Sequence, residues 1–406
     1  MSVPALRFKE FSGDWEEKTL QELADVKGGK RIPKGYSLQD ESNGLPYITV
    51  TDMNRGGVDS NQIRYVPTEI AESIKNYKIT TNDIFISVAG TLGIVGIVPK
   101  ELNNANLTEN ANKLTNLKCH QHYLLQYLLS DRLVNLIDNV QTVGAQPKLA
   151  IYALNSLEVS TPSLPEQTKI ANFLTVVDEK ISLLTQKADL LSQYKKGVMQ
   201  QIFSQELRFK DDDGQEFPEW EEKRLGDIAT FSKGKGISKA DIDENGKAFC
   251  IRYGELYTEY GETIDVVKSK TNVNVNNLIL SEINDVLIPA SGETQIDIAT
   301  SSCVRISGVV LGGDLNIIKS QENGVFLAYY LNTQKKLDIA KLAQGNSVVH
   351  LYASQLKLLD LKLPELKEQT KIANFFTAVD EKITNNQTQL NALKQYKQGL
   401  LQQMFV

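Results

Sequence analysis

Apolar residues recur every seven positions along a segment that occurs twice in this sequence. The two copies are residues 166–203 and 368–405, which align at a constant offset of 202 without a gap and share about 22 identical positions. A second apolar series lies four positions after the first, and this spacing is typical of a long helix that packs on another helix. The predicted seam consists of Ile170, Val177, Leu184, Leu191 and Val198 in the first copy and of Ile372, Val379, Asn386, Leu393 and Leu400 in the second.

Neither predicted helix can bury its apolar stripe alone, so each needs a partner helix. The economical arrangement is an antiparallel coiled coil between the two copies within one chain. Pairing between two identical chains is the alternative. Asn386 is a polar residue on the seam, and such a residue can fix the register of a coiled coil at some cost in stability.

Segments outside the long helices also repeat, in an order that is cyclically permuted. Residues 6–9 (LRFK) and 15–18 (WEEK) return as residues 207–210 and 220–223. One copy begins the chain and the other follows the first long helix, while the second long helix ends the chain. If the halves are equivalent, the two termini lie close together and the arrangement has approximate two-fold symmetry.

Short apolar and β-branched runs with Asn-Asp turns follow the WEEK segments and predict strands. A helix is predicted near residues 123–136 and again near 325–342. The predicted fold class is therefore α+β, with two mixed α/β domains joined by two long helices. The predicted segments are a first domain at 1–163, a helix at 164–205, a linker at 206–219, a second domain at 220–363 and a helix at 364–406.

Composition adds few constraints. The 406 residues are 41% apolar and 23% charged, which is ordinary for a soluble globular protein of two or three domains. A formal charge of −6 gives no overall basic surface, so binding to nucleic acid would depend on local patches or on partner subunits. Three scattered cysteines predict no disulfide framework. With no signal peptide or long apolar run in the sequence, we expect a cytoplasmic protein and no membrane contact.

Two loops rich in glycine and lysine, KGGKRIPKG and SKGKGISK, lie at equivalent positions in the halves. Lysine and arginine in such loops can contact DNA phosphates without reading the base sequence. A solvated loop whose glycines form tight turns is the alternative interpretation. The predicted phosphate contacts are Lys27, Lys30, Arg31, Lys34, Lys233, Lys235 and Lys239.

The sequence lacks the common catalytic and metal-binding motifs. It contains no ATP phosphate loop, no nucleophile elbow, no zinc-protease motif and no tetrapeptide of the amino-methyltransferase type. The glycines at 90, 93 and 96 do not have the dinucleotide spacing. Cys119, His120 and His122 lack a convincing fourth ligand. We therefore expect no catalytic residue, metal or cofactor in this chain.

Two divergent domains, each followed by a repeated long helix, form an arrangement that resembles the specificity subunit of type I restriction-modification enzymes. The resemblance covers nearly the whole chain. Its most specific parts are LPEQTKIANFL and LPELKEQTKIANFF, QYKKGVMQQIF and QYKQGLLQQMF, and WEEKTLQELADVKGG and WEEKRLGDIATFSKG. The resemblance implies that each domain is a target-recognition domain for one half of a split, asymmetric DNA sequence. It further implies that the helices set the spacing and dock two methyltransferase subunits.

The resemblance also implies which partners carry the chemistry. The methyltransferase subunits would bind S-adenosylmethionine and methylate adenine at N6, while restriction subunits with a motor would use ATP and Mg. This chain would be a non-catalytic subunit. Two alternatives remain at this point: a two-domain scaffold on a coiled-coil stalk that binds no DNA, and a chain that is itself a nuclease or methyltransferase.

Reading of bases needs side chains with suitable donors and acceptors on loops. Arginine and lysine suit guanine, asparagine and glutamine suit adenine, and carboxylates suit cytosine. Arg31 is a candidate for base contact as well as for phosphate contact. The other predicted base contacts are Thr51, Asn54, Arg55, Thr91 and Gln146 in the first domain, and Arg252, Tyr253, Glu255, Glu293, Gln295, Asn346 and His350 in the second.

Overall fold

The computed structural model describes residues 3–140, 148–345 and 348–405, with the backbone alone for 139 and 140. The chain divides into two compact units. Unit 1 consists of Met1–Gln186 and Thr388–Val406, and unit 2 consists of Lys187–Gln387. Both divisions fall inside the long helices, so each unit contains one end of each long helix together with a part rich in β-sheet. The predicted domain bounds, which treat each long helix as a separate segment, stay a prediction.

Unit 1 contains short strands and helices that precede the first long helix. Its strands are β1 (Glu16–Thr19), β2 (Asp25–Gly28), β3 (Pro46–Ile48), β4 (Met53–Asn54), β5 (Gly57–Val58), β6 (Arg64–Tyr65), β7 (Lys78–Ile79), β8 (Ile84–Ser87), β9 (Val95–Ile97), β10 (Ala105–Leu107), β11 (Ala111–Thr115) and β12 (Glu158–Thr161). Its helices are α1 (Leu20–Leu23), α2 (Gln121–Leu129), α3 (Asp131–Val140) and α4 (Ile151–Asn155), followed by the long helix α5 (Leu164–Phe203).

Unit 2 repeats this construction. Its strands are β13 (Glu221–Arg224), β14 (Ala229–Lys233), β15 (Ala248–Ile251), β16 (Thr263–Ile264), β17 (Lys270–Thr271), β18 (Ile279–Leu280), β19 (Val286–Pro289), β20 (Ser291–Gly292), β21 (Ser302–Val304), β22 (Val310–Leu311), β23 (Leu315–Ser320), β24 (Val349–His350) and β25 (Asp360–Leu363). Its helices are α6 (Leu225–Ile228), α7 (Glu255–Thr258), α8 (Gln295–Ile298), α9 (Gly324–Tyr330), a π-helical turn (Leu331–Lys335), α10 (Lys336–Leu342), α11 (Ala353–Leu356) and the long helix α12 (Leu366–Met404).

The sheets of the two units have similar strand orders, with one additional strand, β16, in unit 2. In unit 1 the larger sheets have the strand orders β2-β11-β8-β9 and β6-β3-β10-β7, and in unit 2 they have the orders β14-β23-β19-β21-β16 and β17-β15-β22-β18. A two-stranded antiparallel sheet, β1 with β12 or β13 with β25, joins the WEEK segment to the strand just before the long helix. The predicted α+β class and the internal repeat are therefore confirmed.

The long helices pack against each other within each unit, with opposite ends together. In unit 1, Leu174 near the start of α5 shares a buried core with Leu400 and Met404 near the end of α12. In unit 2, Phe203 at the end of α5 contacts Phe376 near the start of α12, with ring centroids 5.8 Å apart. The predicted antiparallel pairing inside one chain is confirmed, and all ten predicted seam positions are buried or half-buried.

An ion pair links the long helices at equivalent positions of the two units. Lys397 lies 2.6 Å from Asp178 in unit 1, and Lys195 lies 2.7 Å from Asp380 in unit 2. Burial acts to lower the pKa of Lys195, but the nearby carboxylates of Glu262 and Asp380 raise it above its ordinary value. These lysines belong to the repeated QYK segments, so the same contact recurs with the sequence repeat.

The N-terminal arm reaches the end of α12 inside unit 1. The amide of Leu6 donates to the carbonyl of Gln403 at 2.9 Å, which confirms the predicted closeness of the termini. The ring of Phe8 packs edge-on against Phe173 with centroids 5.7 Å apart. The second copy of the arm makes the equivalent contact in unit 2, where Phe209 lies 5.6 Å from Phe375.

Candidate nucleic-acid interface

In each unit, two loops emerge at the same end of one sheet, the one that contains β2 and β8 in unit 1 and β14 and β19 in unit 2. In unit 1, β2 and β8 are both antiparallel to β11, and Gly28 and Ile86 pair with the same residue, Asn112. In unit 2, Lys233 and Ile288 likewise pair with Asn316. Because β2 and β8 run in the same direction, the glycine- and lysine-rich loop after β2, called the basic loop, and the loop after β8 leave the same end of the sheet on either side of β11. The same holds for β14 and β19.

A short turn that leads into β11 in unit 1, or into β23 in unit 2, contacts these loops. We call residues 107–111 hub turn 1 and residues 311–315 hub turn 2. Four main-chain hydrogen bonds of 2.7 to 3.1 Å connect each hub turn to the basic loop, to the loop after β8 or β19, and to the end of β3 or β15. In unit 1 they are Gly29 N to Ala111 O, Lys30 N to Leu107 O, Val88 N to Asn110 O and Thr108 N to Ile48 O; in unit 2 they are Gly234 N to Leu315 O, Lys235 N to Leu311 O, Ala290 N to Asp314 O and Gly312 N to Ile251 O.

The basic loops approach the hub turns so closely that only glycine fits. A Cβ atom on Gly29 would lie 2.0 Å from the carbonyl oxygen of Thr108, and one on Gly234 would lie 1.9 Å from that of Gly312. Both distances are far below any real carbon–oxygen contact. Gly29 and Gly234 are therefore required by the close approach of each basic loop to its hub turn, and not only by the conformation of a tight turn.

A fourth segment, which precedes α4 in unit 1 and α11 in unit 2, is bonded to the loop after β8 or β19. The amide of Leu149 donates to Val88 at 2.9 Å, and the amide of Leu351 donates to Ala290 at 3.0 Å. In unit 2 the buried side chain of Asn316 adds a bond from Nδ2 to the carbonyl of Leu351 at 3.0 Å. Each unit thus brings four segments, distant in sequence, to one end of its sheet.

The predicted phosphate-contact residues are all exposed on the basic loops or the strands that lead into them. Lys27 lies 3.6 Å from Asp25. The ammonium of Lys30 lies 5.6 Å from the ring centre of Tyr77. Their assignment to phosphate stays a prediction, as it does for Lys34, Lys233, Lys235 and Lys239.

Arg31 differs from these lysines because it has a partner on hub turn 1. Its Nε donates to Glu109 Oε1 at 2.5 Å. Burial acts to raise the pKa of Glu109, but hydrogen bonds from Arg31 and its neighbours lower it more, so the pKa lies below its usual value. Burial raises the pKa of the adjacent Tyr47 to about 12, so its hydroxyl stays protonated and donates to the carbonyl of Lys30 at 2.8 Å.

The predicted base contacts of unit 1 fall into two groups. Thr51 is exposed in the turn after β3, and Thr91 is exposed in the loop after β8, so both lie on segments that meet at hub turn 1. Asn54 is exposed in β4, and Arg55 donates from Nη2 to the carbonyl of Leu129 at 2.7 Å, at the end of α2. Arg55 is thus held against a helix. Gln146 lies outside the described residues.

In unit 2 the structure gives one predicted base contact an internal role. Glu255 is 4% exposed, and its carboxylate accepts hydrogen bonds from the amide and guanidinium of Arg252 at 2.9 Å and from Ser269 at 2.5 Å. Its oxygens are therefore engaged within the unit, and contact of Glu255 with bases stays a prediction. Arg252 and Tyr253 are half-buried beside it.

The remaining predicted base contacts of unit 2 are brought together. Glu293 and Gln295 are exposed after β20, and His350 is exposed in β24, which pairs with β20. The ring of His350 stacks on Tyr352 with centroids 6.4 Å apart, and Tyr352 is a residue that sequence reasoning missed. Asn346 lies outside the described residues. For all these side chains, contact with bases stays a prediction.

A second feature that sequence reasoning missed lies at the start of each long helix. Glu166 is 1% exposed, and its carboxylate accepts from Arg7 Nε at 2.7 Å and Nη2 at 2.8 Å. Glu368 is fully buried and accepts from Arg208 and from Trp220 Nε1. The identity of the EQTKIAN and LRFK copies was the available signal for this contact.

Two further properties concern the described ranges as a whole. No group of three or more histidine, cysteine or acidic side chains in them is arranged to hold a metal ion. None of their helices has the length and apolar composition needed to cross a membrane.

The profile of the family described as "Type I restriction modification DNA specificity domain" matches the chain twice, over residues 12–193 and 218–395. The chain belongs to this DNA specificity family. It carries two specificity domains in tandem, and its function is DNA sequence specificity within type I restriction-modification. Each match covers one sheet-rich part and most of the long helix that follows.

Two relatives match nearly the full length of this chain. The chain is 24% identical over 413 residues to a protein named as the MjaX type I restriction enzyme specificity subunit of Methanocaldococcus jannaschii, covering 97% of this chain and 93% of that protein. It is 23% identical to the MjaVIII specificity subunit of the same organism, with coverage of 97% and 94%. The crystal structure of the type I restriction-modification system S subunit from M. genitalium has a TM-score of 0.62 at 19% identity, covering 100% and 99% of the two chains, which shows a shared fold.

Proposed function

We propose that each unit reads one half of a split, asymmetric DNA sequence through the segments that meet at its hub turn. The observation that carries this proposal is the repeated set of main-chain hydrogen bonds, which brings a basic loop and sequence-divergent loops to one sheet end in both units. The lysines of the basic loops supply phosphate attraction that does not depend on base sequence. The loops that differ between the units supply base recognition, so the two half-sites differ.

The long helices act as a stiff spacer and as the docking surface for two methyltransferase subunits. Antiparallel packing and the repeated ion pairs support this role, because they tie the helices together at both ends. A fixed separation matters when two readers address one face of DNA, where sites recur about every 34 Å. The names of the M. jannaschii relatives, which are subunits of restriction enzymes, also favour a role inside a larger complex.

We assign the chemistry of the complex to its partners. Methyltransferase subunits bind S-adenosylmethionine and methylate adenine at N6, and restriction subunits use ATP and Mg for translocation and cleavage. This chain is the non-catalytic subunit of a cytoplasmic complex. The absence of catalytic motifs from its sequence is consistent with that division of labour.

Genome-wide mapping of N6-methyladenine, in cells with and without the gene for this chain, tests the proposal. We expect methylation at one split, asymmetric motif to disappear with the gene. Affinity purification of the tagged full-length chain should recover a methyltransferase subunit. Unchanged methylation together with recovery of no methyltransferase would contradict the proposal, and methyl transfer by the purified chain alone would contradict the non-catalytic assignment.

A further inference from the structure

The recurring hydrogen bonds establish which residues of the two units are equivalent around the hub turns. Gly29 corresponds to Gly234 and Leu107 corresponds to Leu311, because each pair makes the same main-chain contact. Counting two residues on from each, Arg31 corresponds to Gly236 and Glu109 corresponds to Gly313.

The two units place different chemistry at this equivalent position. In unit 1, Arg31 and Glu109 form an ion pair from the basic loop to the hub turn. In unit 2 the same two positions are glycines, and the amide of Gly313 donates to the carbonyl of Gly236 at 2.6 Å. A charged pair in one unit is therefore replaced, at both positions, by residues without side chains in the other.

This difference bears on the choice between phosphate and base contact for Arg31. DNA phosphates are the same along both half-sites, so residues that only bind phosphate are useful at equivalent positions of both units. A carboxylate beside the arginine would also weaken its attraction to phosphate. Unit 1 has this side-chain pair and unit 2 has glycines at the same positions. The pair is therefore suited to recognising a base that occurs in only one of the two half-sites.

The geometry of Arg31 suits recognition of guanine. Its side chain is 78% exposed, and Nε is engaged by Glu109. Neither Nη atom makes a hydrogen bond to any described residue. These two outward donors form the edge that can bond to O6 and N7 of guanine in the major groove.

Glu109 is placed to orient the arginine and is poorly placed to reach a base itself. Its side chain is 28% exposed, one oxygen accepts from Arg31, and the other accepts from Thr108 Oγ1 at 3.1 Å. It is anchored on the hub turn, whose main chain is bonded to three other segments. A guanidinium held at Nε loses less freedom when it forms its remaining hydrogen bonds.

We infer that Arg31 reads a guanine in the half-site recognised by unit 1 and that Glu109 is its positioning residue. The inference rests on the proposed function, since it needs each unit to read its own half-site. Of the two roles predicted for Arg31, it selects base contact over phosphate contact, and it adds Glu109, which the sequence did not single out.

Replacement of each residue in the full complex, followed by mapping of N6-methyladenine, tests the inference. Arg31→Lys keeps the charge but removes the planar pair of donors. We expect discrimination at one G·C position of one half-site to fall on the order of ten- to one-hundred-fold, while the other half-site is unchanged. Glu109→Gln should relax the same position to a smaller extent. A methylation motif unchanged in Arg31→Lys would overturn the inference.

The salt dependence of DNA binding by the purified complex is a second measurement. Misfolding of a variant would not by itself produce the pattern of salt slopes that we expect. Arg31→Ala should leave the slope of log affinity against log salt unchanged, because no phosphate contact is lost. Lys34→Ala, a matched change in the same loop, should lower that slope by about one and reduce methylation at all sites alike. A lower slope in Arg31→Ala would identify Arg31 as a phosphate contact and overturn the inference. If the wild-type complex methylates no split motif, the proposed function fails first, and the inference fails with it.

Discussion

Glu166 and Glu368 occupy equivalent positions at the start of the two long helices, and each binds an arginine of the arm that precedes its sheet-rich part. The side chains of Glu368 and Arg208 are 1% and 14% exposed. A buried charge that loses its partner is costly, because neither water nor another group compensates it. These pairs therefore fasten each arm to its helix.

Replacement of Glu368 by alanine should lower the free energy of unfolding by about 3 kcal/mol, because Arg208 and the indole of Trp220 lose their acceptor. Denaturant unfolding of the full-length chain measures the change. Glu365→Ala is the matched control, since Glu365 is exposed beside the same helix start and should change stability by less than about 0.5 kcal/mol. Equal effects of the two changes would contradict this account.

The pH dependence of the Arg31–Glu109 pair follows from the lowered pKa of Glu109. A carboxylate with a folded pKa below its unfolded value stabilises the fold above the unfolded pKa, and this contribution is lost as the pH falls through the folded pKa. Removal of the guanidinium in Arg31→Ala should raise the pKa of Glu109. NMR titration of carboxyl carbons measures this pKa in the wild-type chain and in the variant. An unchanged pKa of Glu109 would mean that the pair does not persist in solution.

At the scale of elements, the long helices show how far periodicity predicts a fold. The seven-residue repeat identified both helices and their seam, and the structure begins and ends them within two residues of the repeated segments. The hub turns could not be predicted, because their contacts are main-chain hydrogen bonds between segments up to about 80 residues apart and leave no side-chain pattern. For the same reason Glu109 was missed, since nothing local in the sequence connects it to Arg31.

Two neighbouring leucines on α5 allow a direct test of the seam. Leu184 is 6% exposed and Leu183 is 61% exposed. Leu184→Glu should destabilise the chain by about 3 kcal/mol or more, because it removes buried apolar surface and places a charge there. Leu183→Glu should have little effect on the thermal unfolding midpoint. Similar midpoints for the two variants would contradict the assigned seam.

At the scale of the whole molecule, the hydrogen bond from Leu6 to Gln403 places the N-terminal arm against the end of α12 within unit 1. A circular permutant that joins the natural termini by a short linker and opens the chain next to Gln205 should fold and keep the wild-type methylation motif. The new ends mimic the natural ends, because Phe203 and Leu207 correspond to Phe405 and Leu6. Methylation mapping of cells that carry the permutant measures the result.

The matched control opens the chain inside α9, between Leu327 and Ala328, which are both fully buried. That permutant should not fold. The first permutant could also fail to fold or could methylate a different motif. Either result would contradict the proposed equivalence between the ends of this chain and the new ends next to Gln205.

Most hydrogen bonds that hold the four segments at each hub turn join backbone atoms, and the side chains of Tyr47 and Asn316 add one bond each. Nearly any other side chain can therefore be exchanged on those segments, apart from the close-approach glycines, without loss of the bonds that hold them. A lineage under pressure to change which DNA it protects could alter its target by substitution at the loop surfaces, while stability and assembly stay with parts of the chain that need not change. Arg31 with Glu109 in one unit, and two glycines in the other, would be two products of that freedom.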